Sequence, residues 1–165
     1  LLDVKKGLNK KVKMISDGGI KFSGDIAKAL AAGADAVMIG SMLAGTSEAP
    51  GKIIKKKGKL FKIFRGMGSV GAMNKGSADR YFQKKQKDKS KYVPEGVEGL
   101  IKYKGDVSKT INKLVGGLRS SMGYLGAEQI KYLNKKAKFV KITKAGFYES
   151  MVHSIDEVKK NSEYL

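Results

Sequence analysis

Two short apolar strands that each stop at glycine, with one helix between them, set the terms for this chain. Lys11 to Ser16 (KVKMIS) reads as a strand running into Asp17-Gly18-Gly19, and Ala36 to Ile39 is a wholly apolar strand running into Gly40-Ser41. Between them Ile26, Ala27, Leu30 and Ala31 recur at helical spacing, with Ser23 or Asp25 as the N-cap and Gly33 as the stop. Strand, helix and strand joined by short links, without polar alternation, is the pattern of a parallel sheet covered by helices. In a (β/α)8 barrel reactive groups gather at the C-terminal strand ends, and phosphate is often bound after the last two. A carboxylate followed by open backbone N–H groups suits a ribose diol. A Gly-Ser turn offers an N–H and a hydroxyl to phosphate oxygens. Each turn taken alone is more simply an ordinary chain reversal; for the pair in this order the two readings balance.

Downstream, Lys59 to Phe64 reads as a further strand before the glycine-rich run Arg65-Gly66-Met67-Gly68-Ser69. Lys84 to Lys104 is polar and lysine-rich around Pro94-Glu95-Gly96, and reads as a long mobile loop. With Asp106 or Ser108 as cap, Val107, Ile111, Leu114, Val115, Leu118 and Met122 form a helical apolar stripe. A second helix is expected over about Ala127 to Ala137 and an alternating strand over Phe139 to Thr143, with an irregular tail from Gly146 on. At 165 residues the whole chain suits one domain.

The charge of +19 invites a nucleic-acid reading, yet only Arg65, Arg80 and Arg119 among the 34 basic residues are arginine. Base and phosphate recognition favours arginine's bidentate fork, and no aromatic platform accompanies the lysines. A solvated lysine surface is the favoured reading, and nucleic acid is not the expected partner. The absence of cysteine excludes disulfides, thiolate metal sites and cysteine catalysis within these residues. No apolar stretch is long enough for a membrane span, and Leu1 to Lys13 lacks the make-up of a signal peptide. A cytoplasmic protein is expected.

Five segments in order carry a resemblance: Asp17 to Thr46 (DGGIKFSGDIAKALAAGADAVMIGSMLAGT), Phe64 to Gln83 (FRGMGSVGAMNKGSADRYFQ), Val93 to Gly99 (VPEGVEG), Gly116 to Ala127 (GGLRSSMGYLGA) and Glu149 to His153 (ESMVH). Together they resemble inosine-monophosphate dehydrogenase over about Lys13 to His153. The resemblance implies a tetramer of (β/α)8 barrels that converts IMP to XMP with NAD in the cytoplasm. In that family a cysteine attacks purine C2, hydride passes to NAD, and a closing flap lets water hydrolyse the adduct.

By resemblance Asp17 holds the ribose hydroxyls, while Gly18, Gly19, Gly40 and Ser41 surround the 5′-phosphate. Phe64, Arg65 and Gly66 belong to the same substrate loop, with Met67 and Gly68 beside the purine. Glu95 meets the base edge, where a carboxylate accepts N1–H. Arg80 and Tyr81 match the water-activating dyad, although guanidinium alone is a poor base and Arg80 would otherwise read as a flap anchor. Tyr124 resembles a residue that reaches a neighbouring subunit's NAD adenine. Glu149, Ser150 and Met151 resemble backbone carbonyls that complete a neighbour's potassium site, for which hard oxygen ligands are suited. The lone His153 has no ligand companion, so a structural role is expected for it.

Three departures stand out. Phe64 takes the place of a usual tyrosine, which removes one hydroxyl donor to phosphate. Met151 replaces a common histidine, at little cost if the ligand is its carbonyl. The cysteine loop, the first six barrel strands and the paired regulatory modules have no counterpart in the sequence, so the chain is expected to be the C-terminal portion of the catalytic barrel and inactive alone. Guanosine-monophosphate reductase shares the nucleotide turns but needs no hydrolytic flap. A non-catalytic basic fragment from a decayed or split gene is the reading from another class.

Overall fold

The computed structural model describes residues 1–83, 88 and 91–151. His153 and part of the expected flap, 84–87 and 89–90, lie outside the described residues. The N-terminal helix α1 (Leu2–Gly7) buries nothing. The anticipated strand–helix–strand unit follows as β1 (Ile15–Asp17), α2 (Ser23–Ala31) and β2 (Ala36–Met38). β1 and β2 pair in parallel, with Ile15 opposite Ala36 and Asp17 opposite Met38. Asp35 locks their entry: its carboxylate accepts the Met14 N–H at 2.9 Å and the Lys13 ammonium at 3.1 Å.

Helix α2 starts and stops for local reasons. Neither Ser23 nor Asp25 precedes it as N-cap; instead Asp25, inside the first turn, reaches back to the N–H groups of Lys21 and Phe22, both at 3.0 Å. Gly33, at φ +100°, ends it with Gly33 N–H to the Leu30 carbonyl and Ala34 N–H to that of Ala29, a Schellman pair. Its apolar face enters a core of Met14, Ile20, Ile26, Ala29, Leu30, Leu114, Ala127 and Leu133. Leu114 comes from α4 (Val107–Tyr124), capped by Asp106, and Leu133 from α5 (Leu133–Lys136). Gly117 is where α4 comes closest to α2, because a Cβ there would stand 2.0 Å from Ser23 Oγ.

A second sheet is antiparallel, in the order β3 (Ile53–Lys56), β4 (Lys59–Arg65), β5 (Glu98–Lys102). It corrects the loop expected over 84–104, because the chain pairs with β4 from Glu98 to Lys102. Two more expectations fail. Phe139 to Thr143 alternates but finds no strand to pair with, and the tail is not irregular throughout, since Thr143 caps α6 (Lys144–Glu149) by accepting the Gly146 N–H. The second helix is shorter than expected, a 3₁₀ turn at Ile130–Tyr132 leading into α5. Among the described residues no helix is long and apolar enough to cross a membrane.

Residues 42–49 join the two sheets. Lys62, in the middle of β4, is 2% exposed, and its ammonium donates to the carbonyls of Thr46 at 2.8 Å, Ser47 at 3.0 Å and Ala49. Thr46 also bridges to Gly105, and the Glu48 carboxylate accepts the Val107 N–H at 3.0 Å, where α4 begins. A buried ammonium is tolerated because its donors meet carbonyls. Replacing it with methionine leaves those carbonyls without their donor. Lys62→Met should lower unfolding free energy by roughly 1–3 kcal/mol, the cost of leaving a buried neutral acceptor unsatisfied. An unchanged urea midpoint would show that the contact contributes nothing.

Among the described residues no other strand pairs with the outer edges of β1 and β2, and Ile15 and Met38 are 57% and 52% exposed. On α4, Ile111 and Val115 are each 40% exposed. Open apolar edges template association, and at physiological salt lysine repulsion reaches only about 8 Å. The isolated 165-residue chain should therefore self-associate. A cooperative calorimetric melt from a species that sediments as a monomer would contradict this.

Candidate functional site

Parallel pairing brings the ends of β1 and β2 to the same side. Asp17, Gly18 and Gly19 close β1, Gly40 and Ser41 follow β2, and all five are exposed. Gly18 and Gly19 both take positive φ, +86° and +75°, which bends the chain so that it leaves their surroundings open: a Cβ on either would meet nothing within 4 Å. On the α2 side the same two glycines border a groove of about 480 Å³ walled by Ile20, Asp25, Lys28 and Phe139. Burial by itself acts to raise the Asp25 pKa. The Lys28 ammonium at 2.7 Å and the two amide donors outweigh it, and the carboxyl sits below its usual range.

The second cluster forms where β4 ends. Gly66 N–H donates to the Val97 carbonyl at 2.8 Å, and the N–H groups of Glu95 and Gly96 both donate to the Gly68 carbonyl, at 2.9 and 3.0 Å. The glycine-rich loop and the Pro94-Glu95-Gly96 turn are thus zipped together through backbone. Gly68 has no room for a side chain: a Cβ would lie 3.0 Å from the Tyr81 ring and 3.1 Å from the Glu95 carbonyl carbon. Tyr81 closes a 3₁₀ turn (Ala78–Tyr81) and packs with buried Met73, Ala78 and Tyr92. Ser77 Oγ donates to the Met67 carbonyl at 2.7 Å, and the Gln83 amide pairs with both backbone groups of Val93. Met67, Arg80 and Glu95 remain exposed around this frame, and Arg65 stands 3.6 Å from Glu98.

The remaining expected residues stand apart. Tyr124, 91% exposed, ends α4, and nothing in the described part of this chain covers it. Glu149 ends α6, with Ser150 and Met151 just beyond it on the surface. Among the described residues no group of three or more His, Cys, Asp or Glu is gathered as for a metal ion. Reasoning from sequence passed over Lys62, Glu98 and Gln83. Lys62 had a signal, a lone charge inside the apolar run Leu60-Phe61-Lys62-Ile63-Phe64.

Parallel strands that end in glycine turns, together with a glycine-rich loop zipped to a Pro-Glu-Gly turn, define a mixed α/β protein with two clusters of candidate site residues. The family model for the IMP dehydrogenase / GMP reductase domain matches residues 2–153, and the chain belongs to that family. It is 56% identical over 151 residues to inosine-5′-monophosphate dehydrogenase of Bacillus subtilis, covering 92% of this chain and 30% of that protein. The Helicobacter pylori enzyme is 56% identical over 153 residues, and the Escherichia coli enzyme 54%. The chain spans about a third of the length of these relatives. Among solved structures, a GMP reductase from Trypanosoma brucei in complex with guanosine 5′-monophosphate superposes with a TM-score of 0.74 at 48% identity, covering 87% of this chain and 28% of that one.

Asp25, Asp35 and Asp106 all have carboxyls held below the usual range, Asp35 chiefly by the Met14 N–H and Asp106 chiefly by Ser108. A folded pKa below the unfolded one gives stability that is present above the unfolded value and lost as pH falls through the folded one. Stability should therefore fall on acidification below about pH 4. Asp25→Asn should make that fall shallower when followed by circular dichroism. An acid transition identical to that of the parent chain would assign the loss to other groups.

Proposed function

We propose that this chain provides the nucleotide-binding turns and the hydrolytic flap of an IMP dehydrogenase, which oxidises IMP to XMP with NAD. On this reading β1 and β2 are the last two strands of a (β/α)8 barrel. The observation that carries it is the meeting at Gly68. The glycine-rich loop, the Pro94-Glu95-Gly96 turn and the Tyr81 ring converge there from three separate stretches of sequence, which supports reading Met67 and Gly68 as the purine loop, Glu95 as the base-edge carboxylate and Arg80-Tyr81 as the dyad.

The Asp17 carboxylate accepts from the ribose diol. The open N–H groups of Gly18, Gly19 and Gly40 and the Ser41 hydroxyl hold the 5′-phosphate. Phe64, Arg65 and Gly66 lead into the purine loop, and Phe64 adds no hydroxyl to the phosphate. Met67 and Gly68 flank the base, and Glu95 accepts N1–H. With guanidinium a weak base, Arg80 and Tyr81 orient the hydrolytic water as a pair. NAD, when bound, takes the hydride from purine C2, and the exposed Tyr124 ring offers its adenine a stacking face across a subunit boundary. The carbonyls of Glu149, Ser150 and Met151, at a helix end whose dipole favours cations, suit potassium in a neighbouring subunit of a tetramer.

GMP reductase is the second reading, favoured by the 48% identical solved structure. The presence of Arg80-Tyr81 and Pro94-Glu95-Gly96 ranks it lower, because a reductase hydrolyses no adduct.

The 165 residues hold no cysteine, so the attack on C2 has to come from outside them. The purified chain given IMP and NAD should form neither a covalent purine adduct nor NADH, and IMP-dependent NADH would refute this. Adding a cysteine-bearing barrel portion in trans should restore turnover. In that assembly Arg80→Ala should slow XMP release more than hydride transfer, measured by burst kinetics. Equal slowing of both steps would remove Arg80 from water activation.

A further inference from the structure

Glu98 has been given no role so far, yet it makes more contacts than any other acidic side chain beside the glycine-rich loop. It opens β5 directly opposite Arg65, the last residue of β4. A single oxygen, Oε1, accepts the Gly71 N–H at 2.8 Å and the Ser69 hydroxyl at 3.0 Å, with Arg65 Nε 3.6 Å away. Ser69 is 1% exposed, and its hydroxyl oxygen in turn accepts the Ala72 N–H at 3.2 Å, capping the short helix α3 (Val70–Ala72). Gly71 leaves space for this contact, because a Cβ there would lie 2.1 Å from Glu98 Oε1. The carboxylate therefore grips both ends of the segment that contains Met67 and Gly68, and it lies three residues after Glu95 on the opposing strand. The backbone bonds between Gly66 and Val97, and from Glu95 and Gly96 to Gly68, lie between its anchor points.

We infer that Glu98 is a positioning residue that fixes the Glu95 turn on the Met67–Gly68 loop, and so sets the purine end of the site without touching the ligand. The inference rests on the reading of this site as an IMP site. Without Glu98 two buried or half-buried donors lose their acceptor and Arg65 loses its counter-charge, while the Asp17–Gly19 and Gly40–Ser41 turns, held by β1 and β2, are unaffected. Its signature is a separation of purine recognition from phosphate recognition, which a general loss of structure would not produce.

The experiment compares the full 165-residue chain with Glu98→Ala and Glu98→Gln. Amide exchange is read by NMR at Gly66, Gly71, Glu95 and Gly96, with Ala29 and Leu30 of α2 as an internal reference, and IMP is titrated beside ribose 5-phosphate. In Glu98→Ala the Gly71 amide should exchange about tenfold faster or more, the loss expected for a hydrogen bond to a charged acceptor, and the Gly66, Glu95 and Gly96 amides, bonded to backbone carbonyls, should also speed up as the two loops separate. IMP should bind about tenfold more weakly while ribose 5-phosphate is unchanged, and Glu98→Gln, which keeps an acceptor oxygen, should recover most of both effects. Unchanged loop exchange in Glu98→Ala, or loop amides already unprotected in the parent chain, would overturn the clamp. Faster exchange in α2 as well, or equal weakening of both ligands, would make Glu98 a fold determinant and overturn its positioning role. If the parent chain binds neither ligand, the IMP reading falls and the purine role with it, while the exchange measurement still decides the clamp.

Discussion

A parallel strand pair uses only the inner half of its peptide hydrogen bonds, and the organisation of this chain follows from that. Parallel strands cannot be joined by a tight hairpin, so the link has to be a crossover, here α2. The crossover places both strand ends on one side and packs α2 between the strands and α4. What it does not supply is a partner for either outer edge, nor cover for Ile15 and Met38. The antiparallel β3–β4–β5 sheet does not fill that place. It is attached through residues 42–49, where the Lys62 and Lys104 ammonium groups, the Glu48 carboxylate and backbone bonds from Lys104 to Gly45 and from Ser47 to Gly105 hold the connection.

The two halves of the candidate site are held by different means. The turns after β1 and β2 are open, with free space around Gly18, Gly19 and Gly40 and positive φ at the first two. The loop after β4 is closed, with backbone bonded to backbone and a tyrosine ring pressed where Gly68 lacks a Cβ. On the proposed reading the open turns take the charged phosphate and the closed loop faces the base, a contrast that suits a nucleotide, whose phosphate is solvated and flexible and whose base is flat and stiff.

Much of this was legible in the sequence, and the failures have physical causes. β1, α2, β2 and α4 were readable because apolar periodicity and caps agree, as with Gly33 after α2 and Asp106 before α4. β5 was missed because Pro94, Gly96 and Gly99 read as turn chemistry, whereas a strand needs only a partner, and β4 supplies one. Phe139 to Thr143 failed in the opposite way: it has the alternation but no strand beside it. Gly146 suggested an irregular tail, yet Thr143 caps a turn strongly enough to start α6. Among the candidate site residues, Asp17, Gly18 and Gly40 were picked out by type and order at the strand ends, and Met67 by resemblance. Glu98 did not, because its role depends on the register between β4 and β5, which no spacing along the chain reveals.

The burial of Lys62 sets it apart chemically from the other lysines. Amine-reactive reagents modify an ε-amino group only where they can reach it, and among the described residues Lys62 is the one lysine that is buried. In a chain with this many lysines a modest labelling treatment would decorate nearly every surface position and spare this one. Its resistance would vanish when residues 46–49 lift away from β4. A single unmodified lysine would then report, peptide by peptide, whether the two sheets are still joined.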